Sequence, residues 1–190
     1  MIDKAKIIVF DYKKSIIHYV YEHNLRNEFN LCNIHKMKLE FIFIGKTTEV
    51  YLNEGIKTYL NRLVNYLPAN VLTLPASTSK IRERIIDEES KLILSKILPR
   101  DFVVLLDEKG KELTSRQLSS FIEKQMLAGT NRMLLITGGA YGVSEVLKNK
   151  VHFLLSASKF TFTHQMIRLI LTEQVYRAMT ILRNESYHHD

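Results

Sequence analysis

Apolar positions change their spacing several times along this chain, and each change marks an element. KLEFIFIG (38–45) is a short β-rich run closed by Gly45. TEVYLNEGIKTYLNRLVNYL (48–67) then spaces Val50, Tyr51, Ile56, Tyr59, Leu60, Leu63, Val64 and Leu67 at helical intervals, and Pro68 ends it. VLTLP (71–75) reads as a second strand, stopped by Pro75. KIRERIIDEESKLILSKIL (80–98) is an amphipathic helix with acidic and basic residues interleaved, ending before Pro99. FVVLLDEKGK (102–111) opens with a continuous apolar run, the mark of a strand buried on both faces, which glycine and charge then turn. Thr114 and Gln117 have capping-box spacing and start a helix through about Ala128. RMLLITGG (132–139) is another buried strand, broken by two glycines. Ser144 can cap a short helix, HFLLS (152–156) is the last strand, and a long helix runs from about His164 to Leu182. Strands alternating with helices predict an α/β fold with a parallel sheet and helices on both faces.

The last helix is apolar on more than one side. Met166, Ile167, Ile170, Leu171, Val175, Ala178 and Met179 form a broad face, with Leu169, Ile181 and Leu182 outside it. Such a helix is either central in its domain or shared with a second subunit. It also carries His164, Gln165, Arg168, Glu173 and Arg177. Glu173 and Arg177 are four apart and can pair, which on a surface contributes under about 1 kcal/mol. Arg168 lies near the helix start, where the dipole disfavours a cation unless an anion compensates. It is either a functional cation or an ordinary solvated arginine.

The totals add a partner class. The chain has 190 residues, 46% hydrophobic and 25% charged, which fits one α/β domain with a sizeable core. Lys and Arg outnumber Asp and Glu by 27 to 20. That surplus favours a polyanionic partner such as RNA, although a basic protein with no such partner shares it. A single cysteine, Cys32, rules out an internal disulfide and suits a reducing compartment. No apolar run reaches the roughly 18 residues of a membrane span, and the interrupted N-terminus makes a poor signal peptide.

In an open α/β sheet, ligands bind beyond the carboxyl ends of the strands. Three strand ends here have unusual composition: Asp107-Glu108-Lys109-Gly110, Gly138-Gly139-Ala140-Tyr141-Gly142 and Ala157-Ser158-Lys159-Phe160-Thr161-Phe162. If their strands are neighbours, the three loops converge on one pocket. Gly138 and Gly139 would let a ligand approach the backbone closely, or they simply make a tight turn. GGAYG is not GxGxxG and there is no GxxxxGK[ST], so a dinucleotide site and a P-loop are not expected. His188 and His189 are adjacent, no cysteine follows position 32 and HExxH is missing, so no metal site is expected.

The runs ITGGAYG, LSASKFTFTHQMIRLILTEQVYRA and ILRNESYHH together resemble the ribosomal RNA large-subunit methyltransferase H family of the SPOUT superfamily. KLEFIFIGK resembles that family's first strand, and the likeness covers Met37 to the end. The resemblance implies an α/β knot, with the C-terminal part threaded as a trefoil, one of the rare exceptions to unknotted topology. It implies S-adenosyl-L-methionine as cofactor, a cytoplasmic homodimer with the last helix at its interface, and methylation of N3 of a pseudouridine in 23S rRNA on the assembled 70S ribosome. Carried over by position, Leu106, Gly138, Ala157, Ser158, Lys159, Phe160, Thr161 and Phe162 would form the cofactor pocket. His164, Arg168, Tyr187 and His188 would lie at the RNA-facing active site, Arg168 for charge stabilisation or phosphate binding and His188 as proton acceptor. A frayed terminus is the alternative for Tyr187 and His188. The family often has proline where Thr163 and Ser186 stand, which bears on loop rigidity. Two rival readings are a non-catalytic ribosome-associated RNA-binding protein and a tRNA methyltransferase of the same fold. Residues 1–36 show no clear period and precede the family's usual start. They are expected to be a non-catalytic extension arising from an upstream start codon or a misassigned start, ahead of a single catalytic domain at 37–190.

Overall fold

The computed structural model describes residues 37–188; the expectation for residues 1–36 lies outside the described residues. Five strands, β1 (Lys38–Ile44), β2 (Ala69–Leu74), β3 (Asp101–Glu112), β4 (Arg132–Thr137) and β5 (Phe153–Ser156), form one sheet in the order β2-β1-β4-β3-β5. Every pairing is parallel. Among the described residues five helices connect or follow them: α1 (Val50–Leu63), α2 (Arg82–Leu94), α3 (Ser115–Leu127), α4 (Glu145–Lys148) and α5 (Met166–Leu182).

Alternate residues of the buried strands enter different cores because side chains alternate across a sheet. Leu39, Phe41, Phe43, Val104, Met133 and Leu135 face one core, shared with Ile56 and Leu63 of α1, Leu118 and Ile122 of α3 and Leu171, Val175 and Met179 of α5. Ile42, Ile44, Val103, Leu105, Leu134 and Ile136 face the other, shared with Ile93 of α2 and Leu147 of α4. Helices therefore cover both faces, as the continuous apolar strands require.

Local signals hold at the helix starts. Thr114 and Gln117 complete both halves of the capping box, at 3.2 Å (Gln117 N to Thr114 Oγ1) and 2.9 Å (Thr114 N to Gln117 Oε1). Ser144 Oγ accepts from Leu147 N and caps α4. The helix at 48–67 is shorter than its apolar spacing predicts, since regular helix ends at Leu63 and tight turns carry the chain to Pro68.

β3 differs most from its sequence reading. Glycine and charge do not end it. After Leu106 pairs with Leu155 the register shifts, and Lys111 pairs with Leu155 again, so Asp107–Gly110 form an irregular stretch within a longer strand. Gly110 makes this crossing possible: a Cβ there would lie 2.6 Å from the Leu155 carbonyl carbon and 2.7 Å from that of Leu154. Backbone runs against backbone, and only a glycine fits.

Helix α5 is central: none of its residues is exposed, and Met166, Ile167, Leu169, Ile170, Ile181 and Leu182 are only partly buried within the chain. Its start is tied to the loop after β1. Gln165 Oε1 accepts from Thr48 N at 2.8 Å and Glu49 N at 3.4 Å, capping α1, whose own Glu49 makes no side-chain cap. Thr163 Oγ1 accepts from Met166 N at 3.1 Å, so a hydroxyl cap secures the position where the resembled family often has proline.

Candidate functional site

Because β4, β3 and β5 are consecutive in the sheet, their carboxyl ends lie side by side. Their three loops enclose a cleft of about 440 Å3. Its wall includes Leu106, Gly138, Ala157, Ser158, Lys159, Phe160, Thr161 and Phe162, and also His164. A cleft of this size is in the range of small-molecule sites, roughly 300–1,000 Å3.

Each loop is held by local bonds. In the β4–α4 loop, Gly142 N donates to Gly139 O at 3.1 Å, closing a four-residue turn, and Gly142 takes a φ of +82° that L side chains rarely adopt. In the loop after β5, Ser156 Oγ donates to the Ser158 carbonyl and Phe160 N donates to Ser158 Oγ, both at 3.1 Å. These bonds fix the backbone while leaving Phe160 81% exposed at the mouth. Tyr141, 49% exposed, stands on the glycine turn with the Arg82 guanidinium 5.8 Å from its ring.

Charge in the cleft is arranged in pairs. Asp107 accepts from Lys148 Nζ at 2.8 Å and from Lys109 N at 2.9 Å. Burial pushes the Asp107 carboxyl up, but the Lys148 ammonium and the Lys109 amide outweigh it, and it stays below its ordinary value. His164 is half-buried. Burial first, and the positive Arg168 second, push its imidazole below the usual histidine range, so the ring is neutral at pH 7. The cleft thus offers backbone groups, an apolar wall and a neutral imidazole.

Arg168 does not face this cleft. It is 0% exposed and the largest fully buried side chain among the described residues. Nη1 donates to Gly45 O and to Thr47 Oγ1, each at 2.9 Å, Nη2 donates to Ile44 O, and the guanidinium lies 5.3 Å from the Phe43 ring centre. Carbonyls at the end of β1 compensate the cation where the helix dipole cannot. No carboxylate is among these partners, and burial holds the guanidinium below its usual range.

Tyr187 and His188 are also away from the cleft wall of their own chain, and they are half-buried. The tail folds back on α5. Tyr187 Oη donates to Glu173 Oε1 at 3.1 Å and sits 3.4 Å from Tyr59 Oη; its ring packs edge-on to Tyr176 and lies 4.7 Å from the Arg177 guanidinium. Glu173 and Arg177 pair at 2.6 Å and form the cradle for this tyrosine rather than a solvated surface pair. Burial, then the Tyr59 hydroxyl and the Glu173 carboxylate, raise the Tyr187 phenol well above its ordinary value.

Lys148 and Val143 line the cleft without having been singled out by sequence, and Ile167, read only as part of an apolar helix face, lines it too. Lys148 is one lysine of many in the chain, and its role is set by Asp107, which lies on another element. Glu89 escaped notice for the same reason: it is one acid in a charged helix, and only the folded chain puts it behind the glycine turn, against Gly139. Among the described residues no group of three or more His, Cys, Asp and Glu is placed to hold a metal, and no helix is long and apolar enough to cross a membrane.

A family model described as "Predicted SPOUT methyltransferase" matches residues 37–188. Ribosomal RNA large subunit methyltransferase H of Parabacteroides distasonis is 46% identical over 159 residues, covering 81% of this chain and 100% of that protein. The protein of the same name from Porphyromonas gingivalis is 42% identical over 157 residues, covering 81% of this chain and 100% of its own length. That from Cytophaga hutchinsonii is 41% identical over 155 residues, covering 80% and 100%. With a parallel sheet that brings three strand-end loops to one cleft, and with relatives matched along their full length, this chain belongs to the SPOUT methyltransferase family.

Proposed function

We propose that the protein transfers a methyl group from S-adenosyl-L-methionine to N3 of a pseudouridine in 23S rRNA, on the assembled 70S ribosome. The observation that carries this reading is the single cleft made by the loops after β3, β4 and β5. The donor set fits the cofactor: a glycine turn exposes backbone groups for an adenine edge, and Leu106, Leu155 and Val143 supply apolar surface. Leu106, Gly138 and residues 157–162 would hold it, and when bound it supplies an electrophilic methyl on a sulfonium.

The chain's own residues have two tasks. One is orientation of the base, for which the exposed Phe160 and Tyr141 offer aromatic faces at the mouth. The other is the N3 proton, since the imide is mostly protonated at neutral pH. His164 is the imidazole this chain itself brings to the cleft, and its neutral state lets it accept that proton. Arg168 acts through position, holding the start of α5 and with it His164. Tyr187 and His188 belong in the reading through a homodimer, in which a second copy's tail reaches the cleft and stabilises the base as charge develops. In this reading the C-terminal region is threaded as a knot, as the family resemblance implies. The basic surplus suits contacts to rRNA phosphates, and the cytoplasm is the setting this substrate requires. Residues 37–190 act as one catalytic domain, and residues 1–36 take no part in the chemistry.

Labelled-methyl transfer to 70S ribosomes, 50S subunits and tRNA side by side tests the reading. Label in 23S rRNA from 70S particles is the expected result. Label in tRNA would move the protein to another substrate, and calorimetry without donor binding would make it a non-catalytic binder. His164→Ala is expected to lower turnover by roughly 10²-fold or more, the usual contribution of a positioned acid or base.

A further inference from the structure

Helix α2 meets the glycine turn from behind the cleft wall with two consecutive buried residues. Glu89 is 5% exposed and Ser90 is 1% exposed. Ser90 Oγ accepts from Ser144 N at 2.8 Å, at the far end of the turn. Glu89 Oε1 accepts from Ser77 N at 3.1 Å, in the loop between β2 and α2. Its other oxygen, Oε2, is buried with no hydrogen-bond partner among the described residues, 2.2 Å from where a Cβ on Gly139 would stand. Unlike Gly142, Gly139 has no positive φ that requires glycine. It is glycine for space, because the Glu89 carboxyl occupies its side-chain position.

A carboxyl buried with no cation beside it among the described residues is costly. Burial above all, with neighbouring Glu88 adding to it and the Ser77 amide opposing, pushes the Glu89 carboxyl above its ordinary value. Gly138–Val143 line the cleft, so the carboxyl touches the turn itself.

We propose that Glu89 is a positioning residue for the donor cleft: its carboxyl stands in for a side chain at Gly139 and, with Ser90, fixes the turn through Ser144 in the shape that receives the methyl donor. This deepens the function proposed above and rests on it. Glu89 acts through the turn and touches neither donor nor base.

A double-mutant cycle on the full chain tests it, read by calorimetry with S-adenosylmethionine and by hydrogen exchange of the turn amides without ligand. Glu89→Ala is expected to weaken donor binding roughly tenfold and to speed exchange at residues 139–143, within the coupling range of touching residues. Glu89→Gln keeps the volume and the acceptor for Ser77 and is expected to bind within about threefold of wild type. Gly139→Ala alone collides with Glu89 and weakens binding. The double variant Glu89→Ala/Gly139→Ala, which returns a carbon to the vacated space, is expected to bind more tightly than either single variant. Glu89→Ala binding as wild type does, Glu89→Gln failing as badly as Glu89→Ala, or the two alanine effects simply multiplying would each overturn the proposal. A wild-type chain that binds no donor would instead overturn the functional reading and take this inference with it.

Discussion

Arg168→Met separates an arginine that serves the chemistry from one that holds the fold. Methionine is close in length and apolar, so it fills the space at 0% exposure without a charge. The change removes two hydrogen bonds of 2.9 Å to Gly45 O and Thr47 Oγ1 and the bond to Ile44 O. Hydrogen bonds from a charged group contribute about 1.5–3 kcal/mol each, and each buried acceptor left unpaired costs about 1–3 kcal/mol. Against this stands the relief of a guanidinium buried without a carboxylate, several kcal/mol in the opposite direction. The net loss expected is about 3 kcal/mol. In a domain of this size that lowers the melting temperature by roughly 6–12 °C. Urea titration gives the free energy, and calorimetry with S-adenosylmethionine on the folded variant gives donor binding. Arg168→Lys, a point charge that cannot reach all three acceptors in a fixed fork, is expected to fall between wild type and Met. A variant as stable as wild type that binds donor normally but has lost turnover would refute the positional role and return Arg168 to the reaction itself.

Gly110→Ala places a carbon 2.6–2.8 Å from backbone atoms of Leu154 and Leu155, which cannot swing aside. We expect a loss of about 1–3 kcal/mol or more in urea titration, with weaker donor binding because β3 and β5 carry two of the three cleft loops. Arg132→Met takes the guanidinium from two buried carboxylates. Arg132 donates to Asp101 Oδ1 at 2.8 Å and Glu40 Oε2 at 2.7 Å, and losing it is expected to cost about 3–5 kcal/mol at pH 7. The pH dependence of that cost follows from sign. Burial raises both carboxyls, but the Asn70 amide, then Lys38 and Arg132, outweigh it at Glu40, and Arg132 with the Leu98 amide outweighs it at Asp101, so both lie below their ordinary values. Their stabilisation is therefore present at neutral pH and lost as pH falls below the carboxylate range. In Arg132→Met the Asp101 carboxyl loses its main partner and protonates more readily, so the gap between variant and wild type should narrow from pH 7 to about pH 4 in parallel urea titrations. A gap that widens in acid would contradict the assignment. Tyr187→Phe removes the hydroxyl from Glu173 but keeps the ring on Tyr176, and thermal melting is expected to show a loss of only about 1 kcal/mol.

Much of the fold can be read in the sequence because the signals that set it are local. Helical spacing, the Thr114–Gln117 capping box, the Ser144 cap and the continuous apolar runs of β3 and β4 depend on residues a few positions apart. The same runs predict helices on both faces, and the composition of three strand ends marks where a cleft would lie. Tertiary structure decided the rest. The order β2-β1-β4-β3-β5, which no single strand encodes, makes those three ends neighbours. Arg168 reads equally well as solvated or functional until the chain brings it to Gly45, 123 positions away. Tyr187 reads as a loose end until Glu173, Tyr176 and Arg177 present one face of α5 to it. Glu89 and Gly139 have no meaning apart, since one residue's missing side chain is the other's space. Periodicity reports which side of an element is apolar; only the packing of elements fixes which polar groups meet, because those contacts join residues far apart along the chain.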